Sequence, residues 1–417
     1  MSDRVRLAVI GGSGTSTPEL IDAIADWPGG DARRPALDVV LQGRSESKLD
    51  AVAAACRQRL PAALRGVTIS TEPSLERALE GADVVLVQVR IGGLDARIFD
   101  ETFPRAFGIP GEETMGPGGF ANAVRTVPAL APLWDLLATT APDAFIINLT
   151  NPAGIVSQAA TAHTQRRIVS LCDGPVTFVD GIAAATARVA DDVRQGYAGL
   201  NHVGFWNDED PTALLEALPA TKGIDADDVK QVGALPSPYV RFYLHPDREL
   251  AAQSATQESR AQTLKRLEAE MLSQYRRGTE ASQHKRRGAL WYRVSIVPLV
   301  DAIVHGSTHS IVLGLPNAGA VAWAPDDAII EIATAVERGG QLRRLAPPAV
   351  SLAATDWLQR HASFEAMTAR ALAGTRSRQD VRERRDGLIS ALAANPMLPT
   401  ADLAERLVDE ILGRSPT

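Results

Sequence analysis

The 417-residue chain is 45% hydrophobic and 22% charged, and its 43 basic and 50 acidic residues leave a formal charge of −7. That balance excludes a general attraction to nucleic acid or anionic membranes and leaves only a local basic pocket for a small anion. No apolar run reaches the roughly 18 residues of a membrane span. The two cysteines, Cys56 and Cys172, exclude a disulfide framework, fit a reducing compartment and, with no signal-peptide h-region, predict a cytoplasmic protein.

Residues 5–10 read as a short buried strand that opens into Gly11-Gly12-Ser13-Gly14-Thr15-Ser16-Thr17-Pro18. Pro18 suits a first helical position, Thr17 is placed to cap the helix, and Glu19 complements its dipole. A strand, a glycine turn and a helix in this order predict a dinucleotide-binding start. The N–H groups of Gly11, Gly12, Gly14 and Thr15 would then cradle a pyrophosphate. The third glycine of G-x-G-x-x-G is missing, so an ordinary strand-to-helix turn is the alternative. Residues 37–41 form the second predicted strand. Gln42, Gly43, Arg44 and Ser45 follow it, without the acid that usually binds the ribose hydroxyls of NAD. Arg44 either meets a 2′-phosphate, which keeps NADP open beside NAD, or is a solvated loop arginine.

A third strand is predicted over residues 82–89. The glycine-dense stretch 111–120 carries Glu112 and Glu113 and predicts irregular backbone making close approaches. Residues 144–149 read as a strand that ends at Asn151-Pro152, and residues 168–171 as another that ends at Cys172-Asp173-Gly174-Pro175. A thiolate and an acid thus meet at a strand's carboxyl end, where ligands sit in open parallel sheets. His202 could complete a metal site with Cys172, since thiolate and imidazole both suit a borderline divalent ion. The alternative is that Cys172 is a small core hydrophobe. Asn201 is placed to orient the imidazole.

Beyond residue 205 the pattern changes. Residues 207–228 are acidic and proline-dotted, a long helix is predicted over about 249–275, and 295–303 and 310–315 read as strand-like or mixed. Residues 399–412 read as a closing amphipathic helix. The predicted fold class is α/β, a Rossmann-like doubly wound parallel sheet with a second α+β domain. Residues 1–200 would bind the dinucleotide. Residues 201–417 would bind substrate and dimerise, giving a homodimer or homotetramer.

Collected in order, these stretches resemble glycoside hydrolase family 4, the NAD- and metal-dependent glycosidases, and the related NAD-dependent sulfoquinovosidases. The resemblance is carried by Gly11-Gly12 through Leu20, Arg90-Ile91-Gly92-Gly93-Leu94 through Arg97, Glu113-Thr114 and Gly116-Pro117-Gly118-Gly119. It continues through Asn148 to Gly154, Cys172-Asp173-Gly174-Pro175, Gly199 to His202 and Tyr239 to Tyr243. Late echoes are Arg287-Gly288-Ala289 and Leu315-Pro316-Asn317-Ala318-Gly319. Such enzymes are an exception to paired-carboxylate glycoside hydrolysis. The resemblance implies oxidation of the sugar at C3, deprotonation at C2, elimination of the C1 substituent, addition of water and re-reduction.

It also implies roles. Cys172 and His202 would hold a divalent metal, Mn2+ foremost. Asp173 would protonate the leaving group, Tyr239 would be the C2 base, and Glu113 an acid near the site; Tyr243 would pack. Arg97, Asn151 and Arg260 would contact substrate, and Arg90 would join the glycine loop and Arg44 at the cofactor. The implied substrate is a small anionic glycoside, α-linked, with a phosphate or sulfonate on C6. Glu112 stands where the family usually has Gln, and Gly174 replaces a larger residue. Two other readings remain: an NAD(P)-dependent dehydrogenase of a small hydroxy acid or sugar acid on the same fold, and a non-catalytic dinucleotide-binding regulator. The regulator leaves Cys172, Asp173, His202 and Tyr239 unexplained.

Overall fold

A computed structural model describes residues 4–61, 64–256, 258–281 and 283–414, with the backbone alone at 284 and 285. Its strands are β1 (Arg4–Ile10), β2 (Ala36–Gln42), β3 (Val67–Glu72), β4 (Val84–Val87), β5 (Phe145–Asn148) and β6 (Ile168–Ser170). In the second half come β7 (Tyr197–Leu200), β8 (Val203–Trp206), β9 (Leu235–Pro236), β10 (Ile311–Pro316), β11 (Ile329–Glu337) and β12 (Gln341–Arg344). They join in one sheet in the order β3-β2-β1-β4-β5-β6-β10-β11-β7-β8-β9, with β12 on β11.

The strands from β3 to β6 run parallel and are crossed over by helices. Their alternation explains the two layers. Val5, Leu7 and Val9 point into one core with Leu20 and Ile21 of the helix Pro18–Ala25, while Ala8 and Ile10 point into the other with Phe120 and Trp134. A period of two on a strand buried on both faces gives this division. Each buried Val, Leu or Ile contributes roughly 1.5–3 kcal/mol. The second half is spliced on antiparallel, Gly314 of β10 opposite Ser170 of β6. A Cβ at Gly314 would lie 2.6 Å from the Ser170 Cβ, so only glycine allows that approach.

The strands expected at 37–41, 82–89, 144–149 and 168–171 form, each with slightly different ends. β3 was not expected. Its Val-Thr-Ile-Ser-Thr-Glu run is an edge strand with little buried apolar surface to mark it. The stretch 111–120 is irregular only to residue 115; Gly116–Thr140 is one helix with Pro117 in its first turn. The close approaches are real: a Cβ at Gly111 would sit 2.0 Å from the Glu101 carbonyl oxygen, and one at Gly119 2.1 Å from the Thr114 carbonyl.

Thr17 does not cap the helix that follows; its hydroxyl accepts from Gln88 Nε2 at 3.4 Å. The helix expected over 249–275 is two, Pro246–Ser254 and Arg260–Arg276. Ser259 starts the second with a reciprocal capping box to Gln262, a stronger start signal than the periodicity that spans the break. Residues 295–303 are helical rather than strand-like, a π turn Tyr292–Ile296 leading into the helix Val297–His305. Seven of that helix's nine residues are buried, which erases the periodicity that would separate helix from strand. No helix among the described residues is long and apolar enough to cross a membrane.

Candidate active site

The glycine turn after β1 is built by close backbone contact. Gly12 N donates to Val9 O at 3.1 Å and to Gln42 O at 2.7 Å, tying the turn to the end of β2. Gly11 has φ +89°, and a Cβ there would lie 2.7 Å from the Gln88 carbonyl oxygen; one on Gly12 would lie 2.9 Å from Leu41 Cα. Gly14 is more open. Two tyrosines from the second half brace the loop, although nothing in their local sequence marks them: Tyr275 donates to Thr15 O at 2.8 Å and Tyr292 to Gln88 Oε1 at 2.9 Å. The Thr15 hydroxyl is buried without a partner among the described residues. Arg44 is exposed just beyond β2, at the same edge of the sheet. A glycine cradle at a helix start with an unpaired hydroxyl fits a dinucleotide pyrophosphate.

Cys172 ends the segment after β6 and caps the helix Asp173–Thr186, its Sγ accepting from Gly174 N at 3.3 Å. His202 sits in the tight turn between β7 and β8 at φ +67°, a left-handed conformation unusual for a residue with a Cβ. Its ring stacks on Tyr239, centroids 4.1 Å apart and planes 4° apart. Burial lowers the imidazole to about 4, with Glu113 pulling upward and Arg97 downward. The ring is therefore neutral at physiological pH, the form that binds metals. Its Nδ1 is buried and has no partner among the described residues. Burial, with Asp173 and Glu331 nearby, raises the Cys172 thiol. An orphaned imidazole nitrogen and a thiol beside it fit a borderline divalent cation.

These side chains line a cavity of about 150 Å3 that Cys172, Asp173, His202 and Tyr239 share with Tyr197 and Ser237. A larger cavity, about 440 Å3, lies at the opposite edge between Asp83, Asp143, Arg166 and Gly340. Arg166 is occupied there by the carbonyls of Leu137, Ala141 and Ala144, and none of the expected site residues reaches it.

Beside the small cavity runs a charged wall. Arg97 bonds Glu101 at 2.7 Å and Glu113 at 2.8 Å, and Arg90 also pairs with Glu113. Burial alone would raise Glu113, but the two guanidiniums outweigh it and hold the carboxylate at about 2. Burial and the Glu113 charge push the adjacent Glu112 up to about 7, although Oε2 accepts from Thr114 N and Met115 N. Glu101 also accepts from Ala261 N at 2.7 Å, which fastens the helix carrying Arg260. Arg260 is exposed at the rim and donates to the carbonyls of Arg286 and Arg287. Burial lowers its pKa, and the nearby charges of Arg97 and Arg287 lower it further.

The expected residues converge. Cys172, Asp173, His202 and Tyr239 share the cavity; Arg90, Arg97 and Glu113 form the wall; Arg260 is close enough to Arg97 and Tyr239 to feel both. Asn151 is half-buried at the turn before the helix Ala153–Thr164. Tyr243 packs, buried, edge-on against His361. Asn201 does not hold the His202 ring: it accepts from Ala153 N at 3.3 Å and donates to Glu331 Oε1 at 3.5 Å. Glu331, buried on β11 and also accepting from Tyr197 at 3.0 Å, is a site support that sequence reasoning missed. Arg287, in the Arg287-Gly288-Ala289 motif, pairs with Glu268 at 3.1 Å and its charge reaches Arg260.

A family model described as family 4 glycosyl hydrolase matches residues 6–187, and its C-terminal domain model matches residues 197–396. A probable 6-phospho-β-glucosidase of Bacillus subtilis is 29% identical over 99% of this chain and 96% of its own. A 6-phospho-α-glucosidase of Lacticaseibacillus paracasei is 27% identical over 80% of this chain and 81% of its own. The solved structure of the 6-phospho-β-glucosidase of Thermotoga maritima with manganese, NAD+ and glucose-6-phosphate has a TM-score of 0.83 to this fold at 26% identity, covering 98% of each chain. With both halves matched around one shared cavity, the chain belongs to family 4 of the glycosyl hydrolases.

Proposed function

We propose that the protein is a glycosidase that uses a nicotinamide dinucleotide and a divalent metal to cleave an α-linked glycoside bearing an anionic C6 group, 6-phosphate or 6-sulfonate. The observation that carries this reading is the convergence of Cys172, Asp173, His202 and Tyr239 on one cavity beside an arginine-rich wall. Curated relatives named for 6-phospho-glucosides support the phosphate form. The arginines would serve a sulfonate equally well.

When bound, the dinucleotide supplies hydride exchange at the sugar's C3, and the metal, manganese foremost, supplies Lewis acidity at the C2 and C3 oxygens. Cys172 and His202 would hold the metal, and Gly11, Gly12, Gly14, Thr15 and Arg90 would face the dinucleotide. The chain's own groups do the rest. Asp173 lies in the cavity wall, and burial raises its carboxyl, which favours the protonated form a general acid needs. Tyr239 would accept the C2 proton. Burial first, then the charges of Glu112, Cys172 and Asp173, raise its phenol, so it becomes a base only with positive charge at the Cys172–His202 pair. Arg97, Arg260 and Asn151 would orient the anionic sugar, with Glu113 fixing the Arg97 guanidinium.

The test is aglycone release from p-nitrophenyl 6-phospho-α-glucoside, its β-anomer and p-nitrophenyl α-sulfoquinovoside, with and without dinucleotide and Mn2+. The expected result is cleavage that needs both and leaves no reduced cofactor behind. Steady accumulation of reduced dinucleotide from a free sugar acid, with no glycoside cleaved, would overturn the proposal in favour of a dehydrogenase.

A further inference from the structure

Glu101 joins the two arginines that would hold the substrate's anionic group. It lies on the helix Gly93–Thr102, one turn after Arg97, so the two side chains share a face. Glu101 is 5% exposed, and each carboxylate oxygen has its own partner. Oε1 accepts from Arg97 Nε at 2.7 Å, and Oε2 accepts from Ala261 N, 160 residues away, also at 2.7 Å. Ala261 stands in the opening turn of the helix Arg260–Arg276, where the first N–H groups lack intrahelical partners and the dipole favours an anion. Ser259 Oγ accepts from Gln262 N at 3.3 Å, and Glu101 satisfies the N–H of Ala261 beside it.

Arg97 is thereby held on two sides, Nε by Glu101 and Nη1 by Glu113 at 2.8 Å, while Nη2 makes no hydrogen bond among the described residues. Arg260 gives its Nη2 to the carbonyls of Arg286 and Arg287. The two guanidiniums are close enough to repel: the Arg97 charge lowers the pKa of Arg260, and the Glu101 charge opposes that. The same carboxylate raises Arg97. One negative charge therefore serves two cations that would otherwise move apart. A second tie joins the same two segments away from the arginines. Gln253 clasps the backbone of Gly111, accepting from its N–H at 2.9 Å and donating to its carbonyl at 2.7 Å. The helix Pro246–Ser254 that carries Gln253 buries none of its residues, so polar contacts of this kind fasten it.

We propose that Glu101 is a positioning residue for the substrate: its carboxylate sets the separation of Arg97 and Arg260, so that both guanidiniums close on one anionic group. The inference rests on the glycosidase reading, in which these two arginines orient the sugar. Without the carboxylate, Arg97 turns wholly to Glu113 and the helix carrying Arg260 loses its anchor at Ala261. The arginines must then be brought together again at each binding event, which weakens binding without altering the groups that react.

The test is steady-state kinetics of the full chain with NAD+ and Mn2+, on whichever of the three p-nitrophenyl glycosides the unsubstituted protein cleaves fastest. In Glu101→Gln the amide fills the same space, but one of its two ends donates, so it cannot accept from both Arg97 and Ala261. KM should rise on the order of tenfold with kcat within about threefold, the pattern of lost uniform binding. NAD+ and Mn2+ affinities should stay unchanged. Glu101→Asp keeps the charge but is one methylene short of spanning both partners. It should raise KM by roughly threefold, and it carries the comparison if Glu101→Gln does not fold. Gln253→Ala loosens the same docking without touching either arginine, so it should lower the unfolding midpoint and leave KM within about twofold. An unchanged KM in the Glu101 variants, a loss confined to kcat, or an equal rise in Gln253→Ala would overturn the positioning role and leave the glycosidase reading intact. Cleavage of no glycoside by the unsubstituted protein would overturn both.

Discussion

The imidazole of His202 lies flat against the phenol ring of Tyr239, 4.1 Å between centroids and 4° between planes. The stack joins a metal-ligand candidate to the proposed C2 base, and two substitutions separate these roles. Tyr239→Phe keeps the ring and loses the hydroxyl, so metal affinity should hold while C2 proton exchange with solvent falls by roughly 10²–10⁴-fold. Tyr239→Ala removes the stack as well, worth about 0.5–1.5 kcal/mol, and should also weaken Mn2+ binding by up to about tenfold. Deuterium exchange at C2 and a Mn2+ titration read the two effects separately. Full exchange in the Phe variant would remove Tyr239 from the base role.

Glu113 answers two guanidiniums at once, those of Arg90 and Arg97. Replacing it with Ala leaves Arg97, largely buried, with Glu101 as its one ion-pair partner among the described residues. Breaking a buried ion pair by removing one member costs about 3–5 kcal/mol, and the remaining partner places this variant near the lower end. Urea unfolding of Glu113→Ala should show that loss, with Glu113→Gln losing less because the amide oxygen still accepts a hydrogen bond.

A second pair of acids makes stability depend on pH. Burial raises Glu331 to about 7, and burial with the Glu331 charge raises Glu365 to about 8. Both values exceed the ordinary carboxyl value of 4.5 given for each, so over this window the folded protein binds more protons than the unfolded chain. Stability is therefore full below about pH 4.5 on account of these groups and falls as pH rises toward 8. The drop is on the order of a few kcal/mol, because the half-buried Glu365 is partly screened by solvent. Urea unfolding at pH 5, 6.5 and 8 should show the decline, and Glu365→Gln should flatten it. An unchanged slope in that variant would mean that Glu365 ionises as readily as an exposed acid.

What could be read from the sequence follows a physical line. β1, the glycine turn and Pro18 are legible because a period-two apolar run, close-approach glycines and a helix-starting proline are local signals. Cys172 and Asp173 are legible because their chemistry is rare at a strand end. β3 is not legible because an edge strand of Thr and Ser buries little. The helix Val297–His305 reads in sequence as strand-like or mixed because burial on nearly all sides removes periodicity. The supports of the site were not legible at all. Tyr197 meets Glu331 across 134 residues, Tyr292 meets Gln88 across 204, and Tyr275 meets Thr15 across 260. Each is an ordinary side chain until the sheet order brings its partner to it.

Those long-range tyrosines lead to the last prediction. Tyr275 donates to the Thr15 carbonyl, and Tyr292 donates to Gln88, whose own side chain reaches Thr17, so both fix the conformation of the turn that would cradle the pyrophosphate. A cradle of backbone N–H groups binds tightly only while it is held in the bound shape, and a loosened loop must be ordered again at binding. Tyr275→Phe removes the hydrogen bond to the Thr15 carbonyl, worth about 1 kcal/mol, and leaves the ring packed. Dinucleotide affinity should fall by roughly fivefold, with Mn2+ affinity unchanged because Cys172 and His202 lie outside the turn. Tyr292→Phe should act in the same direction and more strongly, since it also frees Gln88 beneath Gly11, where a Cβ would lie 2.7 Å from the Gln88 carbonyl oxygen. A fall in thermal stability with unaltered dinucleotide affinity in both variants would show that the tyrosines serve the fold alone.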